Sequence, residues 1–216
     1  MKLLKYISLV IFILPLHAEI EGVSSEENLI KTYIEKKTNN VKINFDLTGS
    51  SFNRWTFNNT IFTGSSEANT TFSYSTFSGT DGKITLFKGN INFSSFKGST
   101  FTNVIFSGEI GDVSFENCIL DNVTFKRNVS GIFNVTDQKL LKNKYSLNNV
   151  TFEKAVTATF TKAKLNKVKF EDNYEGSSFG GAQINNVTDK DGILLSLSLG
   201  KLKKPEAPKK EEKQNG

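Results

Sequence analysis

Residues 94–106 read SSFKGSTFTNVIF, and within them Phe96, Phe101 and Phe106 stand five apart. The same step runs through Phe52, Phe57, Phe62, Phe72, Phe77 and Phe87. After slips of one residue it resumes at Phe115, Leu120 and Phe125, at Phe160, Leu165 and Phe170, and at Phe179 and Ile184. A period of five is neither the 3.6 of a helix nor the 2 of an ordinary strand, and it predicts a repeat architecture. One large apolar residue in five stays inside only if the chain turns a corner between one and the next. Four such sides make a square coil, and stacked coils pair as parallel strands about 4.8 Å apart.

The residue two before each large one should also point inward, where little room is left. Ser50, Thr60, Thr70, Ser75, Ser94, Ser99, Cys118, Ala158, Ala163, Val168, Ser177 and Ala182 satisfy that demand. These units, among them Ala163-Lys-Leu165 and Ala182-Gln-Ile184, resemble the pentapeptide-repeat family, whose motif is small, any, Leu or Phe, then two polar residues. The resemblance covers about residues 45–190 and implies an all-β fold, a right-handed parallel β-helix of four sides. At about twenty residues per coil the chain holds about seven coils, some 30 Å long. Two departures stand out. Thr, Ser and Asn replace the family's usual Asp or Asn before the bulky residue. Trp55 fills a small-residue place, which predicts a distorted corner or an outward ring.

The expected organisation follows from composition along the chain. Residues 1–18 read as a secretory signal, with basic Lys2 and Lys5, an apolar stretch from Tyr6 to Leu16, and cleavage after Ala18. Residues 19–48 are an N-terminal cap. It comprises a helix over 25–37, with Ser24 and Glu27 as a capping box and a stripe of Leu29, Ile30, Tyr33 and Ile34, then a strand of Val41, Ile43, Phe45 and Leu47. Residues 49–192 are the β-helix, interrupted near 127–148. Residues 193–200 are a closing strand, and the charged tail 201–216 is expected to be disordered.

Charge and inventory exclude several chemistries. Cleavage at Ala18 removes His17, the only histidine, and leaves Arg54 and Arg127 as the only arginines. Histidine-based triads, Cys–His pairs and His-ligated zinc are then absent by inventory. The formal charge of +5 is also misleading, because residues 19–200 carry 19 basic and 19 acidic side chains. A neutral body predicts no nucleic-acid binding. Glu116, Asp121, Glu171 and Asp172 fall on outward positions and suggest no acid/base pair. Cys118 is expected to be buried and inert. Sequons at Asn58, Asn69, Asn92, Asn122, Asn128, Asn134, Asn149 and Asn186 suit a chain rich in Asn, Ser and Thr, which generates them by chance. No outward Thr column at a twenty-residue step is expected, so an ice-binding face is not.

No catalytic, cofactor or metal site is therefore expected, and no enzyme. The interrupting segment, with Lys139, Leu140, Leu141, Lys142, Lys144 and Tyr145, is the candidate interaction loop, because loops on rigid repeats carry function. The functional expectation is an exported β-helical binding or scaffold protein, periplasmic or secreted, that presents a rigid surface to a protein partner. No stable membrane insertion is expected once the signal is removed. Two alternatives stay open: an envelope component self-associating end to end through Leu195–Leu199, and a secreted effector or adhesin acting on a host.

Overall fold

Segments such as Thr56–Asn58 and Ile61–Phe62 are too short to be stable alone and persist only as rungs of a ladder. The structure, a computed structural model, describes residues 20–21, 36–44, 46–66, 70–80, 82–137, 139 and 144–205. Apart from Lys139, which is helical, their regular structure is all-β, in strands of two to seven residues. One sheet of 13 strands and another of four are built almost wholly from parallel pairs between successive circuits of the chain, which fits a parallel β-helix. Pairing is in register: Phe57 lies beside Phe77 and Phe77 beside Phe101, and Phe87 lies beside Phe106 and Phe106 beside Phe125.

Register turns the repeat into columns. Phe52, Phe72, Phe96, Phe115, Phe133, Phe160 and Phe179 stack in one column, with centroids 4.7–5.2 Å apart and planes within 16°. Phe62, Phe87, Phe106, Phe125, Phe152 and Phe170 form a second, with centroids 4.4–5.2 Å apart. A third runs from Phe57, Phe77 and Phe101 through Leu120, Leu147 and Leu165 to Ile184. Rings of the first and second columns, which face each other across the coil, meet edge to face, as Phe106 and Phe115 do at 5.8 Å and 87°. Each such aromatic pair adds about 0.5–1.5 kcal/mol beyond its burial.

The fourth column is aliphatic. Ser66, Ile91, Ile110, Val129 and Val156 stack there. Ile91, Ile110, Val129 and Val156 follow the preceding Phe by four residues rather than five, which is the origin of the register slips. Successive steps along the first column are 20, 24, 19, 18, 27 and 19 residues, so the coil is not a uniform twenty. All the core positions named from the period are buried except Ile184, which is half-buried and packs against the core.

Three expectations are corrected. Trp55 is buried, not turned outward, stacking on Phe57 at 5.7 Å and meeting Phe52 edge-on. Among the described residues, Phe52 and Phe57 are the first rings of their columns. The interruption is narrower than 127–148. Val129–Ile132 is a strand held on both sides, Phe133 stacks between Phe115 and Phe160, and Leu147 rejoins beside Leu120. At the N-terminal end, Lys37–Asn39 is a strand paired with Thr56–Asn58 rather than the end of a helix. The rest of that helix, over 25–35, and Phe45 lie outside the described residues, as does the signal segment. Ile20–Glu21 pairs antiparallel with Lys42–Ile43 and covers that edge.

The C-terminal end closes on itself. Ser196–Ser198 pairs antiparallel with Lys201–Lys203, so the tail expected to be disordered from 201 begins as a strand. Residues 206–216 lie outside the described residues. Leu195 and Leu202 are buried beneath this hairpin, and the Phe179 N–H donates to the Gly200 carbonyl at 2.8 Å. Below Phe170, where Lys169 bridges to Thr188, the column ends in a buried acid, Asp189. Its Oδ1 accepts the N–H groups of Asp191 and Ile193, and its Oδ2 lies 2.5 Å from Lys204 Nζ. The hydrogen bond from Lys204, aided by those N–H groups, holds the Asp189 carboxyl below the usual range.

Two measurements test this packing. Phe106→Ala removes a fully buried ring and should cost about 3–5 kcal/mol in denaturant unfolding. Phe93→Asn, at an exposed left-handed position, should leave the midpoint unchanged or raise it. The second concerns pH. Because the folded state depresses the Asp189 pKa, ionised Asp189 supports the closing hairpin fully above the ordinary carboxylate range. That support is lost as pH falls through the lowered value. The protection factors of the amides of 196–203, taken against the intrinsic exchange rate at each pH, should therefore fall in acid, and Asp189→Asn should remove that fall.

Candidate functional site

Corners decide which side chains reach solvent. Between the Phe52 column and the Phe57 column, the left-handed turn position is taken by Arg54, Tyr74, Gly98, Asn117, Lys162 and Gly181. At the next corner it is taken by Asn40, Asn59, Asn103, Asn122, Asn149, Lys167 and Asn186. Asparagine tolerates this conformation better than most residues because its short amide bonds locally. Here the amides also bond between coils. Asn122 Nδ2 donates to Asn103 Oδ1 at 2.6 Å, and Asn149 Nδ2 to Asn122 Oδ1 at 3.0 Å. A second ladder runs beside it, from Asn185 to Asn166 to Asn148 to Asp121, each bond 2.7 Å.

This corner accounts for several sequons. In Asn122-Val-Thr124, Asn149-Val-Thr151 and Asn186-Val-Thr188, the Asn holds the turn and Val is buried. The Thr then faces out on the following side. These sequons are the geometry of a corner written in sequence, rather than an accident of composition.

The candidate interaction loop leaves the coil at the other corner. Val135 is still buried, and Ser146 and Leu147 are buried on return. Lys139, Lys144 and Tyr145 are exposed, while Leu140, Leu141 and Lys142 lie outside the described residues. The departure point is pinned. Asn117 Oδ1 accepts the N–H groups of Thr136 and Asp137, and Asn117 Nδ2 donates to Thr136 Oγ1 at 2.8 Å. Thr136 Oγ1 donates to Glu116 Oε1 at 3.0 Å, and Lys97 Nζ lies 2.9 Å from the same oxygen. The Glu116 carboxyl is lowered chiefly by the hydrogen bond from Lys97, whose own pKa is raised by it. Asn117 and Glu116 thus join the loop to the rigid ladder. The sequence offered Glu116 only as a solvated acid and Asn117 not at all; the signal was a small residue at the corner that precedes Cys118.

The other acids are not brought together. Asp121 accepts from Asn148, Glu171 pairs with Lys169 at 2.9 Å, and Asp172 Oδ1 caps the Asn173 N–H. Cys118 is buried, its Sγ 3.0 Å from the Phe96 carbonyl, and desolvation raises its thiol pKa to about 12. It is no nucleophile at neutral pH. One expectation about threonine is corrected: Thr56, Thr76 and Thr100 stand in register on neighbouring strands and form an outward column three levels deep. The column ends at Ile119. No protein-family model, curated protein or solved structure matches the chain.

The corner predicts a graded effect. Asn122→Ala should destabilise by about 1–2 kcal/mol, since alanine resists the left-handed turn. Asn122→Gly, which loses only the ladder bonds, should cost less than the alanine variant. Equal losses in thermal unfolding would mean that the ladder, not the turn, dominates.

Proposed function

We propose that this chain is an exported, non-enzymatic β-helical protein that presents a rigid surface to a protein partner through the loop between Val135 and Ser146. Its coil is that of the pentapeptide repeats, right-handed and four-sided, with about seven coils. The observation that carries the reading is the anchoring of an exposed Lys- and Tyr-bearing loop on the stacked core by Asn117 and Glu116. A pinned base lowers the ordering cost of binding, and Lys139, Lys144 and Tyr145 are exposed beyond it. Export rests on the signal-like first eighteen residues. Cleavage after Ala18 leaves Ile20–Glu21 intact to cover the edge at Lys42–Ile43, which supports that position.

A photo-crosslinking residue in place of Tyr145, in the source cells, tests the loop. A discrete cross-linked species from position 145, and none from the exposed Lys88, is the expected result. Tyr145→Ala with Lys144→Ala should lower partner recovery about tenfold, as loss of an interface hot spot does, with no change in thermal unfolding. Equal cross-linking from both positions would remove the loop from the function. A full-length chain retained in the cytoplasm would remove export.

A further inference from the structure

The C-terminal hairpin carries an anomaly that closing the coil does not require. Its turn residues, Leu199 and Gly200, both have positive φ, 49° and 70°. A two-residue turn of this kind favours Asn-Gly, because a branched or bulky side chain is strained at the first position. Leucine stands there instead and is 98% exposed. Leu194, at 57%, and Ile193, at 38%, are exposed on the same end of the molecule. Leu194 bridges to Thr188 in the last coil, and the Leu199 turn sits against Phe179.

Residues 193–205 hold Lys201, Lys203 and Lys204 and no acid. Of the lysines there, Lys204 is paired with Asp189 and Asp191, which leaves Lys201 and Lys203 as the positive charges beside the turn. Ser196, Lys201 and Lys203 are exposed, on the face of the hairpin opposite buried Leu202. Lys201 is held beside the turn by the carbonyls of Ser177 (2.8 Å) and Glu175 (3.5 Å). A fully exposed leucine at the hairpin turn, with Lys201 and Lys203 on the strand that follows, sets an apolar point beside two positive charges. A second copy would set Lys201 and Lys203 against their own images. A fluid anionic surface accepts both features at once, the leucine among acyl chains and the lysines among headgroups.

We propose that the C-terminal end of this protein docks peripherally on an anionic lipid surface, with Leu199 as the inserting residue and Lys201 and Lys203 as its electrostatic contacts. The test is co-sedimentation of the full chain with phosphatidylcholine vesicles, with and without about one-third phosphatidylglycerol, at low salt and at about 0.5 M salt. Leu199→Asn is the decisive variant because Asn-Gly suits the turn and keeps the hairpin. Binding to anionic vesicles should fall roughly tenfold in Leu199→Asn and in Lys201→Gln/Lys203→Gln, and high salt should weaken the wild type similarly. The apolar segment at 6–16 is common to all variants and cannot produce these differences. Wild-type binding by Leu199→Asn would overturn the proposal. So would Leu199-dependent dimerisation without lipid, or Leu199-dependent capture of a polyglutamate peptide in place of vesicles.

Discussion

Everything in this molecule depends on a coincidence of lengths. Backbone ladders repeat at about 4.8 Å, and offset aromatic rings stack at nearly the same separation. A phenylalanine that points inward from every coil can therefore satisfy both with one geometry. Seven rings in one column and six in another keep that spacing without interruption. Because each coil contacts mainly its neighbours, no coil buries its rings alone, and stability accrues along the stack.

The corners are subordinate to that constraint. To deliver a ring inward at every side, the chain must turn within two or three residues, and several of those turns fall in the left-handed region. Asparagine recurs there, and amide ladders follow because the turns stack in register. The fourth side shows how much latitude is left. It uses four residues in place of five, fills its column with Ile and Val, and absorbs the slips without disturbing the aromatic columns.

Such a scaffold separates stability from function. Among the described residues the stacked rings fill the interior, and of the titratable side chains only Cys118 and Asp189 are buried. What distinguishes one side from another is what is added at the corners and ends. A loop is pinned by Asn117 and Glu116, and a hairpin is locked by Asp189 and Lys204. Both additions tie polar side chains to backbone, one at a corner beside Phe115 and the other at the end of the stack.

The five-residue recurrence of Phe determined by itself that the chain is a stack of short parallel strands, and which residues of most columns lie inside. A local period needs no knowledge of partners, so the core was legible wherever the period held. Phe133 and Phe152 were lost from that reading because a short fourth side and a looped segment displaced them from the count. Only the pairing register returned them to their columns. The loop was visible as a break, but its anchors were not, since Asn117 and Glu116 meet Thr136 only when successive coils are superposed. Trp55 followed the same rule: its small-residue slot looked too tight until its level in the stack was known. Asp189 stands at the five-residue step after Phe179 and Ile184, but an acid there carries no apolar signal. The Leu199 turn lies beyond the last repeat, so the tertiary structure alone decides how the core ends.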